Sequence, residues 1–181
     1  MSESKPNPKS LSEEQLAAKH TTIDLAVRLD SLQQLKEQAC NLFINANKRI
    51  QIYSHGLDPR ILNNREIERH IAAFIKKSRN SELQILIYDE NLLRGVDHRL
   101  IAIAQQFTSY VQIKVVPKDY QENPFGFYLA DDRSMLYRSN CERYEAQFMK
   151  MPSFTIKDKS KLFNTIWQAS TPASFLRALH L

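Results

Sequence analysis

Several side chains that can hold an anion or transfer a proton follow the predicted strands of this 181-residue chain. His55 and Asp58 come after one strand, and Asp89 comes after the next. His98 and Arg99 open a predicted helix, where free backbone N–H groups favour negative charge. In an open α/β sheet, ligands bind beyond the carboxyl ends of the parallel strands. A cluster at that edge would suit an anionic ligand, and its members would be His55, Asp89, His98 and Arg99. Glu90 and Lys118 follow the third and fourth strands and would lie nearby.

Each of these residues also has a purely structural interpretation. His55 lies in a turn, where its ring can hydrogen-bond to backbone groups. Asp58 precedes a proline, which is a common way for a turn to lead into a helix. His98 can simply occupy the first turn of its helix, and Arg99 can pair with an acidic neighbour. The acidic candidates are Asp97 and Glu90.

Basic residues form a further candidate surface. Arg138 would form a small basic patch with Arg133 and Arg143, although surface arginines are ordinary. The formal net charge of +5 permits a nucleic acid or another phosphate-bearing ligand as partner, and it is also common among soluble domains without such a ligand. The charge alone therefore leaves both possibilities open.

Composition and motifs exclude several classes of protein. The chain has no CxxC, HExxH, GxGxxG or Walker sequence, so no cofactor or metal is expected. Its two cysteines, Cys40 and Cys141, are expected to be reduced in a cytoplasmic protein, with Cys40 as a core thiol. No secretory signal and no apolar run of about 20 residues is present, so no membrane insertion is expected.

Hydrophobic periodicity predicts one α/β domain over residues 21–181, preceded by a disordered polar tail over residues 1–20. Strands alternate with helices as β-α-β-α-β-α-β, and a β-meander and a last helix follow. This order predicts a mixed sheet with helices on its faces. Predicted strands cover residues 23–29, 49–54, 83–88, 111–116, 125–130, 134–138 and 144–149, and predicted helices cover residues 32–46, 64–79, 97–108 and 160–170. Pro59 is expected to block a helix after the second strand.

Residues 123–140, NPFGFYLADDRSMLYRSN, join two short strands through an Asp-Asp-Arg-Ser turn. With the element order, this stretch resembles the repeat unit of the phospholipase D superfamily, whose signature is HxKxxxxD followed by a small Gly-Ser motif. Asp131 aligns with the signature aspartate, and Ser139 and Asn140 stand near the Gly-Ser motif. Phe163 and Trp167 resemble the F-x-x-x-W of the family's closing helix. The resemblance implies a phospholipase D-like fold over residues 21–170.

The same alignment places non-catalytic residues where the family has its nucleophile and its phosphate-binding lysine. The histidine position falls on Pro124 and the lysine position on Gly126, or on Phe125 and Phe127 after a shift of one residue. The chemistry needs an imidazole to attack phosphorus and a cation to hold phosphate oxygens. The family mechanism is therefore not expected, and Asp131 is interpreted as a turn former.

Residues 53–59, YSHGLDP, and residues 97–100, DHRL, are similar to a small uncharacterised bacterial group with a phospholipase D-like fold. Members of that group occur alone or fused to acetyltransferase domains.

Three functions remain open at this stage. The first is a non-catalytic binding or regulatory module for a phosphate-bearing ligand, a nucleic acid or a protein partner. The second is a phosphoesterase-type enzyme with a re-sited centre built from His55 or His98 with Asp89. The third is a module that self-associates as a homodimer, as the family resemblance implies.

Overall fold

The structure is a computed structural model that describes residues 26–122 and 124–179, with the side chains of residues 177–179 excepted. The predicted tail and the first three residues of the predicted first strand lie outside the described residues.

Within the described residues, eight strands form one mixed sheet, in the order β1-β7-β6-β5-β2-β3-β4-β8. The central strands β2, β3 and β4 are parallel, whereas β5, β6 and β7 form an antiparallel meander beside β2. This confirms the predicted α/β fold with a mixed sheet. The strands are β1 Ala26–Leu29, β2 Arg49–Ser54, β3 Glu82–Ile87, β4 Val111–Val115, β5 Gly126–Ala130, β6 Ser134–Arg138, β7 Ala146–Lys150 and β8 Thr171–Pro172.

Five α-helices of the described part of the chain cover the sheet, and most begin at a side chain that accepts a backbone hydrogen bond. Ser31, Asn64 and Ser153 cap three of them in this way. The helices are α1 Leu32–Asn45, α2 Pro59–Leu62, α3 Arg65–Lys77, α4 Arg99–Gln106 and α5 Phe154–Ala169. Short 3₁₀ segments lie at Glu90–Leu93, Lys118–Tyr120 and Ser174–Leu179. None of the helices in the described ranges is long and apolar enough to cross a membrane.

The sheet separates two hydrophobic cores, because side chains alternate between its faces. One core lies under α1, α3 and α4, where Phe43, Phe74 and Ile85 are buried. The other lies under α5, where Phe127 and Phe163 are buried. Helix α5 therefore covers one face of the sheet with its apolar side, and the other side of the helix faces solvent.

The structure corrects three predictions about local elements. Helix α5 begins at Phe154 and not near Ser160, because Ser153 caps it and its first turns are mostly polar, which hid their periodicity. Pro59 begins the short helix α2 and does not block a helix, because the first position of a helix needs no N–H donor. Strand β8, which pairs with β4, was not predicted.

Candidate functional site

The carboxyl ends of β2, β3 and β4 share one edge of the sheet with the start of β5 and the end of β6. We call this the upper edge. The sequence predicted six candidate ligand-binding residues at or beside this edge: His55, Asp58, Asp89, His98, Arg99 and Arg138. Each of them contacts other residues of the chain.

His55 is half-buried at the upper edge. Its ring stacks on Tyr88, with the ring centroids 4.2 Å apart. Its backbone carbonyl accepts a hydrogen bond from the Tyr88 backbone N–H at 3.0 Å, which ties the loop after β2 to the end of β3. The Tyr88 hydroxyl in turn donates to the Tyr53 hydroxyl at 2.8 Å, and burial raises the pKa of both phenols.

Asp58 and Arg138 form an ion pair that is almost fully enclosed, although they are 80 positions apart in sequence. One Asp58 carboxylate oxygen lies 3.5 Å from the Arg138 guanidinium, and the other accepts from the Arg60 backbone N–H at 3.1 Å. Arg138 also donates to the backbone carbonyls of Cys141 and Arg143. Because its donors are engaged within the chain, Arg138 holds the loop after β6 in place.

Asp89 is an exposed cap and not a member of a charged cluster. Its carboxylate accepts from the Asn91 backbone N–H at 2.8 Å. The cavity beside it has a volume of about 450 Å³ and lies between the ends of β3 and β4, where Lys118 and Glu90 also line it. Hydrogen bonds from Ser174 lower the pKa of Glu90, so this carboxylate too has a partner within the chain.

His98 is buried, with only 2% of its surface exposed. Its Nδ1 accepts from the Leu100 backbone N–H at 3.2 Å, so Nε2 carries the proton and donates to the Leu57 carbonyl at 3.1 Å. Leu57 has a left-handed backbone with φ of 57°, and this contact helps to hold it. Burial lowers the pKa of His98, which keeps the ring neutral.

Arg99 pairs with Glu68 on α3, and not with Asp97 or Glu90 as its sequence neighbourhood indicated. Its backbone N–H donates to Asn63 at 3.0 Å. Its interactions therefore join α3 to α4 on the helix-covered face.

The candidate residues are thus distributed over several sets of contacts. Asp58 and Arg138 contact each other, and His55 lies on the same loop as Asp58, beside Cys141. Asp89 caps the turn after β3, while His98 and Arg99 engage α2, α3 and α4. The predicted arginine patch is also divided, because the five-residue strand β6 separates Arg133 from Arg138.

A stack of aromatic rings fills the space where the resemblance places catalytic residues. The ring of Tyr53 lies 5.1 Å from that of Phe127 and 5.5 Å from that of Phe125, in stacked arrangements. Phe127 also meets Phe163 of α5 edge-on at 6.3 Å. The Lys159 ammonium lies 4.6 Å from the centre of the Phe125 ring, a cation–π contact that covers the stack. Sequence alternation predicted these strands but not their mutual stacking.

Gly126 lies where any side chain would collide with its surroundings. A Cβ at this position would lie 2.6 Å from the Cys141 sulfur and 2.9 Å from the Tyr53 carbonyl oxygen. Burial raises the pKa of the Cys141 thiol, which keeps it protonated at neutral pH. Neither alignment of the signature therefore leaves room for a lysine on β5, since residue 126 has no space and residue 127 is a packed phenylalanine.

Asp131 is a structural anchor at the opposite, lower edge of the sheet. Its carboxylate accepts three backbone hydrogen bonds of 2.8–2.9 Å, from Asn47, Lys48 and Arg49. Asp132, beside it, pairs with Arg49 at 2.7 Å. The two aspartates thus fasten the β5–β6 turn to the start of β2.

The solvent side of α5 carries a stripe of exposed residues that sequence reasoning missed. We call it the outer stripe: Phe154, Lys157, Asp158, Lys161, Thr165 and Gln168. Their spacing of three and four residues puts them on one face of the helix. A shallow cavity of about 660 Å³ runs beside four of them and is also lined by Ser160 and Asn164. The i, i+3, i+7 spacing was the available signal, but the missed start of α5 concealed it.

The described residues contain no group of three or more histidine, cysteine or acidic side chains that could hold a metal ion.

Residues 31–179 match the family described as a domain of unknown function, DUF7931. This chain belongs to the DUF7931 family. No curated protein matches the chain. Solved structures similar to this DUF7931 domain show that its fold is that of phospholipase D family members.

Three of those structures illustrate the likeness. Nuc from Salmonella typhimurium, a phospholipase D family member, is 10% identical with a TM-score of 0.54, covering 81% of this chain and 97% of Nuc. NucT from Helicobacter pylori is 13% identical with a TM-score of 0.59, covering 81% of this chain and 98% of NucT. The archaeal chromatin protein TrmBL2, described with a novel mode of DNA binding, is 13% identical with a TM-score of 0.58. The match covers 87% of this chain but only 58% of TrmBL2.

Proposed function

We propose that this DUF7931 domain is a non-catalytic, phospholipase D-like binding module whose ligand is a nucleic acid. The observation that carries the proposal is the aromatic stack of Tyr53, Phe125 and Phe127 at the start of β5. A phosphoryl-transfer site of this family needs an imidazole and an ammonium group there. In their place, the strand carries rings packed on α5 and a glycine with no space for a side chain.

The re-sited phosphoesterase centre is the less favoured alternative. It requires His98 or His55 to act together with Asp89. Both ring nitrogens of His98 are engaged by backbone groups, and Asp89 caps its own turn. His55 packs against Tyr88, so none of the three side chains points to a shared reaction centre.

The positive surface of α5 supports a polyanionic ligand. Lys157 and Lys161 are exposed on either side of the exposed Asp158, so lysines outnumber carboxylates on this surface, and neither lysine makes an ion pair within the described ranges. The single acidic side chain of the adjacent cavity, Asp132, is compensated by Arg49 at 2.7 Å and by the Ser160 hydroxyl at 2.6 Å. The net charge of +5 acts in the same direction, and the DNA-binding description of TrmBL2 is compatible with it.

We also propose where this domain acts and how it is arranged in the protein. Residues 21–181 would act as one unit in the cytoplasm, as a degenerate single repeat of the phospholipase D type, alone or beside another domain.

Salt-dependent binding tests the proposal. Binding of fluorescently labelled single-stranded and duplex DNA, followed by anisotropy, should weaken steeply as salt is raised, because lysine–phosphate contacts release counterions. Replacing Lys157 and Lys161 together by alanine should remove about two such contacts. The slope of log affinity against log salt should then fall by roughly 1.4–1.8.

A matched variant on the other face of the sheet serves as the control. Lys76→Ala with Arg79→Ala removes the same charge from exposed positions at the end of α3. This variant should bind as the wild type does. A flat salt response, or equal losses in both double variants, would refute binding at α5.

A further inference from the structure

We infer that the outer stripe of α5 binds a single nucleic-acid strand and that Phe154 stacks on an unpaired base. The inference rests on the proposed function and adds the class of ligand and the residue that selects it.

Phe154 is the most exposed large apolar side chain among the described residues, with 84% of its surface in solvent. Burying a phenylalanine side chain stabilises a fold by about 1.5–3 kcal/mol. The exposed Phe154 does not gain this free energy, so it contributes little to the stability of the domain. Met151, three residues earlier, is 66% exposed and has a left-handed backbone with φ of 121°. Two apolar side chains are thus presented to solvent at the start of the helix.

The rest of the stripe carries two lysines, one aspartate (Asp158) and two uncharged polar side chains, so its formal charge is positive. Lys157 and Lys161 follow Phe154 by three and seven residues, which places both ammonium groups on the same side of the helix as the ring. Thr165 and Gln168 continue that side with groups that can hydrogen-bond to phosphate or sugar. From Phe154 to Gln168 the helix rises about 21 Å, which is enough for a few nucleotides.

This combination favours an unpaired strand over a duplex. Proteins that bind single strands pair a positive groove with aromatic side chains on which bases stack. In a duplex the base faces are already stacked on one another, so a phenylalanine ring beside the phosphates contributes little. Lysine contacts are available to both ligands, whereas the Phe154 contact is available only to the single strand.

The same stripe does not match a membrane-binding helix. A helix that lies in a lipid interface has an apolar face along its length. In α5 the solvent side is polar beyond Phe154, and its apolar side is buried on the sheet.

The test compares Phe154 variants on two ligands under identical low-salt conditions. Anisotropy would measure the affinity of the full chain for a labelled oligothymidylate and for a labelled duplex of equal length. Phe154→Ala should weaken single-strand binding by at least about fivefold, because alanine replacement of a stacking aromatic residue has effects of that size or larger. Duplex affinity should change less than twofold, and Phe154→Tyr should bind the single strand as the wild type does.

Two controls make the result specific. Leu92→Ala removes another exposed apolar side chain, 57% exposed, at the upper edge, and should leave both affinities unchanged. Vesicles containing phosphatidylserine, offered to the wild type and to Phe154→Ala, report any lipid binding.

The possible failures are distinguishable. Binding to both DNA ligands that needs Lys157 and Lys161 but not Phe154 would overturn this inference and leave the proposed function standing. If Phe154→Ala lost the same factor of affinity for the single strand and for the duplex, the inference would also be overturned. Absence of binding to either ligand would refute the proposed function together with the inference, as would Phe154-dependent binding to vesicles alone.

Discussion

At the scale of single residues, His98 is held neutral by its surroundings. Burial lowers its pKa from the ordinary value of 6.5, and its two ring nitrogens hold the Leu57 carbonyl and the Leu100 N–H. The neutral ring therefore orients the loop at Leu57 and the start of α4. Protonation would place a charge on a buried ring, and it would remove the Nδ1 acceptor of the Leu100 N–H.

We expect the stability of the domain to fall as the pH is lowered below about 6.5. In that range His98 is protonated in the unfolded chain but stays neutral in the folded chain, because its folded pKa is lower. The free energy of unfolding therefore rises with pH until His98 is neutral in the unfolded chain as well. Urea unfolding between pH 5 and 8 would measure this. In His98→Asn, which can still cap α4, the decline below pH 6.5 should be smaller. An unchanged pH profile in that variant would contradict the assignment of a neutral His98.

Asp131 anchors the β5–β6 turn to the start of β2. Its three backbone hydrogen bonds and its φ of 54° suit aspartate, which tolerates the left-handed region. We expect Asp131→Ala to lower the free energy of unfolding by roughly 2–5 kcal/mol, since three donors lose a charged acceptor. Asp131→Asn should lose less, because one oxygen remains and asparagine tolerates the same φ.

Urea denaturation would compare the two Asp131 variants at constant m value. Equal stability of the alanine and asparagine variants would show that the carboxylate does not anchor the turn.

At the scale of elements, β5 approaches β2 and the loop after β6 more closely than any side chain would permit. Gly126→Ala places a methyl group 2.6 Å from the Cys141 sulfur and 2.9 Å from the Tyr53 carbonyl. We expect a loss of about 1–3 kcal/mol of stability from this overpacking. Calorimetry or urea unfolding would measure it.

The variant Gly126→Ala with Cys141→Ala refines that prediction. Removing the sulfur should recover part of the loss, whereas the backbone contact with Tyr53 should keep the rest. Cys141→Ala alone is the control. Complete recovery, or no loss in the single variant, would contradict the close approach.

Local patterns were sufficient to predict most elements of this fold. The strands predicted over residues 49–54 and 134–138 match β2 and β6 at their observed bounds. The start of α5 was missed because Lys157, Asp158 and Lys159 interrupt its apolar period. Hydrophobic periodicity depends on residues that are close in sequence, and it shows which of them share a face of a helix or strand. It carries no information on which distant element packs there, so elements are easier to predict than their contacts.

The candidate site was less predictable because its side chains bind partners far away in sequence. Arg99 pairs with a residue 31 positions earlier, and His98 bonds to a carbonyl 41 positions earlier. Asp58 follows β2 and Arg138 ends β6, so their contact crosses β5 and joins positions 80 residues apart in sequence. Such partners become visible only when the sheet order is known.

At the scale of the whole molecule, the two ends and two faces of the sheet have different roles. The upper edge, where related folds would be expected to do chemistry, is closed by ion pairs, caps and stacked rings. The lower edge is anchored by Asp131. The solvent side of α5 carries the exposed Lys157 and Lys161 together with the exposed Phe154. We therefore propose that α5 binds the ligand and that the upper edge stabilises the fold.

Binding and strand integrity, measured in the same samples, test this account most directly. Labelled single-stranded DNA would be incubated with the full chain at several salt concentrations, with and without added divalent cations. Each sample would then be divided between anisotropy and a denaturing gel. The account predicts binding that weakens with salt and with the Lys157 and Lys161 substitutions, while the strand stays intact throughout. Cleavage by the wild type that is lost in His55→Ala or His98→Ala, or no binding at low salt, would contradict it.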